Sequence, residues 1–228
     1  DKGIDIASEK IINCAAQNGF YTLTNFLMTM INSKINKSLL TELETIQSFV
    51  HFGNLSIYKL LNNFIHDQSN SAIVYSIRYN YYKIVKYCFK ELANSAFNES
   101  LVLSILKEAV KSKTDKWFNY IFEEFRERDP NVFTLNLYSA ILNCACDSSN
   151  LSVVKIITDL ILKEKSNHNF TKAFIYALTS KSIDICQYLF DKKVYINFEQ
   201  IPSSVFQIGS IDIKNITLET FTNKLHYS

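Results

Sequence analysis

Ala15-Ala16-Gln17-Asn18-Gly19 decides the reading of this chain, because the pattern that follows it recurs. Take Ala15 as position zero. A turn residue, Gly19, stands at +4, and apolar Leu23, Phe26 and Leu27 stand at +8, +11 and +12. The same offsets return from Phe49 (Gly53, Ile57, Leu60, Leu61), Ser76 (Asn80, Ile84, Tyr87, Cys88) and Ala109 (Lys113, Trp117, Tyr120, Ile121). They return again from Ala145 (Ser149, Val153, Ile156, Ile157) and Ala177 (Lys181, Ile185, Tyr188, Leu189), and in shortened form from Val205 (Gly209, Ile213, Ile216). Successive anchors lie about 27 to 36 residues apart, a period that marks stacked arrays of small structural units.

Each copy reads as two short helices. In the first, an apolar residue precedes the anchor by three (Ile12, Ile46, Ile73, Leu106, Leu142, Phe174), and the anchor is small in most copies, which lets neighbouring helices approach closely. A polar turn follows. Gly or Asn at +4 suits a positive-φ helix C-terminus; Lys113, Ser149 and Lys181 do not, so those turns are expected to close differently. In the second helix Val153, Ile156, Ile157 and Leu160 form one apolar face at helical spacing, as do Ile84, Tyr87, Cys88 and Leu92. A single pair cannot bury its own apolar face, whereas stacked pairs make a continuous core. The expected fold is therefore all-α: a helical-repeat solenoid of stacked helix-turn-helix pairs. Glu123 to Leu135 is the least regular segment, and Asp129-Pro130 is expected to stop a helix or make a turn.

Composition supports helices and excludes several functions. The chain is 47% hydrophobic, so it can bury a core, and it holds only four Gly and two Pro, too few for the many turns of an all-β fold. The net charge of +2 makes no electrostatic case for a nucleic-acid or anionic-membrane surface. No apolar run is long enough to span a membrane. Five cysteines, an odd number, fall mostly on apolar positions and read as free thiols in an intracellular, reducing compartment. Six Asn-X-Ser/Thr sequons (Asn36, Asn54, Asn98, Asn150, Asn169, Asn215) are what so Asn- and Ser-rich a chain produces by chance.

At this level of detail the copies resemble the ankyrin repeat. Ala15-Ala16-Gln17-Asn18-Gly19 is similar to that family's Ala-Ala-x-x-Gly, and Leu151-Ser152-Val153-Val154-Lys155-Ile156-Ile157 to its second helix. Leu189-Phe190-Asp191-Lys192-Lys193-Val194-Tyr195-Ile196-Asn197 resembles its Leu-Leu-x-x-Gly-Ala-x-Val-Asn unit ending. The resemblance covers about residues 3 to 217 and implies one ankyrin-like solenoid over 1–228: six units, a shortened seventh and a terminal cap from Thr217. Gly3-Ile4-Asp5-Ile6 looks like the tail of an earlier unit, which leads us to expect a piece of a longer protein. The Thr-Pro-Leu-His opening is missing from every copy, so the family's usual cap is absent, and plain loops are expected where the family has finger hairpins.

What the resemblance implies is a non-catalytic scaffold for protein–protein interaction, with a protein partner, no cofactor, no metal and no small-molecule substrate. Searches for chemistry agree. The four glycines form no phosphate loop, and the histidines (His51, His66, His168, His226) have no helix-spaced partner ligand. His66-Asp67 reads as a helix end, Cys144-Ala145-Cys146 lacks a second ligand pair, and Glu123 to Arg128 reads as a self-pairing solvated face. The candidate partner-binding residues are Arg78, Tyr79, Tyr81 and Tyr82, which crowd one turn that otherwise needs only small polar residues. For Tyr82 the alternative is packing in the apolar +6 slot that Leu55, Leu151 and Ile183 occupy. Two other readings remain. Phe122-Glu123-Glu124-Phe125-Arg126-Glu127-Arg128, followed by Tyr138-Ser139-Ala140-Ile141-Leu142, resembles a pentatricopeptide repeat and implies single-stranded RNA binding. The array could also be the targeting arm of an enzyme encoded outside this segment.

Overall fold

A computed structural model of the chain describes residues 11–12, 14–16, 18–32, 53–62, 69–92, 98–112, 115–164 and 167–208. All regular structure among them is helical. The anchor Phe49, Ile46, Lys113, His51, His66-Asp67, His226, Gly3 to Ile6 and the segment from Gly209 onward lie outside the described residues. No described helix is long and apolar enough to cross a membrane. The chain divides into two compact units, Asp1–Ala96 and Phe97–Ser228.

In the first unit, residues of the Ile11–Ala16 turn are helical and lead through Gly19 into α1 (Tyr21–Asn32). Then come α2 (Leu55–Asn62), α3 (Ser69–Arg78) and α4 (Tyr82–Glu91). The second helices α1, α2 and α4 pack in that order, and α3 pairs with α4. The second unit runs α5 (Glu99–Lys111), α6 (Asp115–Arg128), a 3-10 turn at Pro130–Val132, α7 (Leu135–Asp147) and α8 (Leu151–Lys163). It continues with α9 (Thr171–Thr179), α10 (Ile183–Asp191), a 3-10 turn at Phe198–Gln200 and α11 (Ser203–Ile208). The pairs are α5 with α6, α7 with α8, and α9 with α10. The first helices α5, α7 and α9 pack side by side, and so do the second helices α6, α8 and α10. Glu123 to Arg128 is regular helix, and the irregularity begins at Asp129, whose carboxylate accepts the Asn131 N–H and opens the 3-10 turn.

Burial follows the recurrent pattern with one change of phase. Ile12, Ile73, Leu106, Leu142 and Phe174, three before the anchors, are buried, and so are the small anchors Ala15, Ser76, Ala109, Ala145 and Ala177. The Ser76 hydroxyl is accommodated by donating to the Ala72 carbonyl one turn back (2.6 Å). In the second helices, +8 and +12 are buried as expected from the third copy onward. However, +11 is only half-buried (Tyr87, Tyr120, Ile156, Tyr188), and +9 is buried throughout (Val85, Phe118, Val154, Cys186). A stripe at +8, +9, +12 and +13 is wide enough to face both its own first helix and a neighbouring pair. The first copy departs further: Leu23 and Phe26 are 45% and 57% exposed, while Thr24 and Met28 are buried. Two of the side chains at +11, Tyr87 and Tyr188, serve the junction between copies. Tyr87 meets the Tyr58 ring edge-on, and the Lys155 ammonium lies over the Tyr188 ring.

Four of the turns close alike, contrary to expectation for Ser149 and Lys181, while Lys113 lies outside the described residues. At Gly19, Asn80, Ser149 and Lys181 the +4 residue has positive φ (75°, 62°, 56° and 58°). In each, the +5 N–H bonds the anchor carbonyl: Phe20 to Ala15, Tyr81 to Ser76, Asn150 to Ala145 and Ser182 to Ala177. The +4 N–H bonds the +1 carbonyl, which completes a Schellman closure. Ser149 and Lys181 thus adopt the left-handed conformation without glycine. Stacking explains it: Asn150 Nδ2 donates to the Val110 carbonyl of the preceding copy, the Ser180 hydroxyl to the Cys146 carbonyl, and Ser182 bonds Ser149. Lys193, at the position of the family's unit-ending Gly, also has positive φ (54°).

Several helix starts carry a side-chain cap without Thr-Pro-Leu-His, whereas α4, α9 and α10 have none. Asn98 accepts the Leu101 N–H at the start of α5, Thr134 the Leu137 N–H at α7, and Asn150 the Val153 N–H at α8. Asn54 does similar work at α2, and Asn169 accepts the Thr171 N–H just ahead of α9, whose N-cap residue is Phe170. Three sequon asparagines, Asn54, Asn98 and Asn150, are therefore cap residues, and the Ser two places on lies in the first helical turn.

Candidate interaction surface

The four residues singled out in the sequence come together at the junction of α3 and α4, within the first compact unit. Tyr79 continues α3 by a bond from its N–H to the Tyr75 carbonyl, Asn80 reverses the chain, and Tyr82 opens α4. The closure turns Arg78, Tyr79 and Tyr82 outward, with Tyr79 and Tyr82 42% and 49% exposed. Tyr82 does not fill the apolar +6 slot; the Lys86 ammonium lies 4.6 Å from its ring centroid instead. The Arg78 guanidinium stacks over Tyr75 at 5.3 Å.

Tyr81 has a different part. Its ring packs against Gly53 in the turn of the preceding copy, where a Cβ would stand 2.6 Å from Tyr81 Cδ1. Gly53 is required there twice, for positive φ (63°) and for this approach. Tyr79 then stacks on Tyr81, ring centroids 6.1 Å apart. The result is a layered cluster: Tyr81 is half-buried and fixes the turn, and Tyr79 rides on it facing solvent. Aromatic rings held beside cationic side chains offer large contact area at low cost in side-chain entropy.

A second surface went unnoticed in the sequence. In the second compact unit the exposed sides of α5, α7 and α9 form a groove of about 300 Å³. It is lined by Lys107 and Lys111 from α5, Asn143 and Asp147 from α7, and Lys172 and Tyr176 from α9. These stand at −5, −2, −1 and +2 of the pattern, the positions that the core leaves over. The signal was present as lysines at such positions in two copies, but only the side-by-side packing of the first helices brings them together.

Titratable groups elsewhere serve packing. Cys88, Cys146 and Cys186 are buried, and all five cysteines are free. Burial pushes the Cys88 and Cys186 thiols up to about 12, and Cys146 upward as well. The Cys88 thiol donates to the Tyr58 hydroxyl of the preceding copy (3.2 Å). Cys14 is exposed, and Cys144 is half-buried in the groove wall. Cys144 and Cys146 stand two apart on one helix and so face different ways, one to the groove and one to the core, which prevents a shared metal. Burial also raises the Cys144 thiol, outweighing the pull of Ser148, Lys111 and Lys107. His168 is half-buried, with Nε2 3.3 Å from the Ser139 hydroxyl and its ring edge-on to Phe170; burial lowers its pKa. On α6, Arg128 pairs with Glu124 (3.0 Å) and Arg126 with Glu123 (4.0 Å), the self-pairing face expected there. No family model, curated protein or solved structure matches the chain.

Proposed function

We propose that the chain is a non-catalytic protein-interaction scaffold, a solenoid of ankyrin-like helix pairs that engages a protein partner through the Arg78–Tyr82 turn. The observation that carries this reading is the layered cluster. Asn80 and the Schellman closure already satisfy the turn, so Tyr79 and Tyr82 are not needed to make it, yet both face outward beside Arg78 and Lys86. The stacked copies support it by holding the turn rigidly: Tyr81 is keyed into Gly53, and α4 is anchored by buried Ile84, Val85, Cys88 and Phe89. Unpaired buried thiols suit an intracellular, reducing setting, which belongs to the same reading.

Selection of binders from a displayed peptide library, followed by affinity measurement, tests this. Tyr79→Ala with Tyr82→Ala is expected to weaken selected binders at least about tenfold, the loss of one modest hot spot. Far-ultraviolet circular dichroism should remain unchanged, because neither ring is in the core. Tyr81 is left intact in this variant because it keys the turn to Gly53. Binders unaffected by the double substitution would reject the surface. Retention of single-stranded RNA, lost steeply as salt rises, would favour the RNA-binding alternative instead.

A further inference from the structure

We infer that the groove across α5, α7 and α9 is a second binding site, and that its ligand is an extended acidic peptide segment. The floor is built by three adjacent first helices. At the usual spacing of about 8–10 Å between packed helices, the groove crosses about 20 Å, the length of roughly six extended residues. Lys107 and Lys111 stand on one wall and Lys172 and Tyr176 on the other, with Asn143 between them; Asn143 and Tyr176 offer hydrogen-bonding groups to a backbone. Among the described residues none of the three ammonium groups has a carboxylate within ion-pair distance. Several other described lysines of this unit also lack an ion pair, so what distinguishes these three is that they line one groove together. Three ammonium groups converging on one concave surface attract carboxylates by charge and satisfy them by hydrogen bonds.

The acidic member of the lining, Asp147, sets the register. It occupies the +2 position on α7 that Lys111 occupies on α5. A ligand carboxylate is thereby steered toward the Lys107–Lys111 wall or toward Lys172, and the stretch between them is neutral. This favours a peptide with spaced Asp or Glu over the continuous charge of a nucleic-acid backbone, whose phosphates would meet Asp147. The Cys144 thiol, held neutral by burial, adds no competing anion. The site uses other residues, on another compact unit, than the Arg78–Tyr82 turn, so either can fail without the other.

The test is fluorescence anisotropy on the full chain. The probes are a labelled peptide of spaced glutamates in a Ser/Gly background and its glutamine counterpart. The glutamate peptide is expected to bind, and the glutamine peptide to bind at least about tenfold more weakly. Lys107→Gln with Lys111→Gln and Lys172→Gln should reduce glutamate-peptide binding by about the same factor. A control with the same net charge, Lys116→Gln with Lys163→Gln and Lys193→Gln, should keep it within about twofold. Equal losses in the two triple variants would mean diffuse attraction to lysines and would overturn the site. So would equal binding of the two peptides, or capture of a single-stranded oligonucleotide by these lysines in place of the glutamate peptide.

Discussion

At the scale of single residues, the chain is most revealing where it tolerates a conformation that its side chains disfavour. Lys181 and Ser149 sit at positive φ, where an L side chain costs about 1–2 kcal/mol relative to the right-handed helix. Lys181 is exposed, and in the turn bonds it uses only its backbone. Lys181→Gly should therefore raise stability by about 1 kcal/mol, read as a higher urea midpoint at unchanged slope. Lys181→Val should lower it, since a β-branched side chain suits positive φ worst. Ser149→Gly should gain less than Lys181→Gly, because it also removes the partner of the Ser182 hydroxyl. Equal midpoints for wild type and Lys181→Gly would show that the turn carries no strain. The sequence had shown where these turns are, through the polar stretch after each anchor. Their shared closure was hidden because a lysine or serine gives no sign of the conformation that inter-copy hydrogen bonds impose on it.

At the scale of the helix, phase is what matters. Val153 and Lys155 stand two apart on α8 and face opposite ways: Val153 is fully buried, and Lys155 is exposed with its ammonium 5.8 Å from the Tyr188 ring centroid. Val153→Asp should cost more than about 4 kcal/mol, because it places an unpaired carboxylate in the core. Lys155→Asp should cost less than about 1 kcal/mol, through a weak ring contact and a new neighbour for Asp159. Chemical denaturation of the two variants measures the contrast, and similar losses would show that the assigned faces of α8 are wrong. The periodicity of three and four was readable, and it located the second helices. It misjudged +11 and overlooked +9, because large half-buried aromatics such as Tyr87, Tyr120 and Tyr188 look like core in a one-dimensional pattern. Only the neighbouring copy shows that Tyr87 and Tyr188 lie at a seam, Tyr87 edge-on to Tyr58 and Tyr188 beside the Lys155 ammonium.

At the scale of the whole molecule, the charged groups leave a distinct signature on acid stability. His168 is held partly out of water against Phe170 and Ser139, and burial lowers its pKa. In the unfolded chain the imidazole returns to its ordinary value of about 6.5. The contribution of neutral His168 is thus complete above about pH 6.5. It declines as pH falls through that value, because the unfolded state then binds the proton more readily, until the folded-state group protonates too. The urea midpoint should fall between about pH 7 and pH 5.5, and by less in His168→Gln, which stays neutral throughout. An identical fall in both would assign the acid sensitivity to other groups. The two compact units also separate the two proposed surfaces. An aromatic turn belongs to Asp1–Ala96 and a lysine-lined groove to Phe97–Ser228.

By itself the sequence determined the helix pairs, because the spacing of apolar residues, the small anchors and the scarcity of Gly and Pro leave little else that can bury so much apolar surface. It also determined that Arg78, Tyr79, Tyr81 and Tyr82 gather at one turn, since neighbours in sequence cannot be far apart. The tertiary structure alone decided which of them face out. Tyr81 is drawn in by the missing side chain of Gly53, a contact between copies that no local pattern records. It alone brought Lys107, Lys111 and Lys172 to one groove, because their proximity depends on helices packing side by side across two intervals of the pattern. Local spacing fixes what a helix buries, whereas the surface it shares with its neighbours exists only once they are stacked.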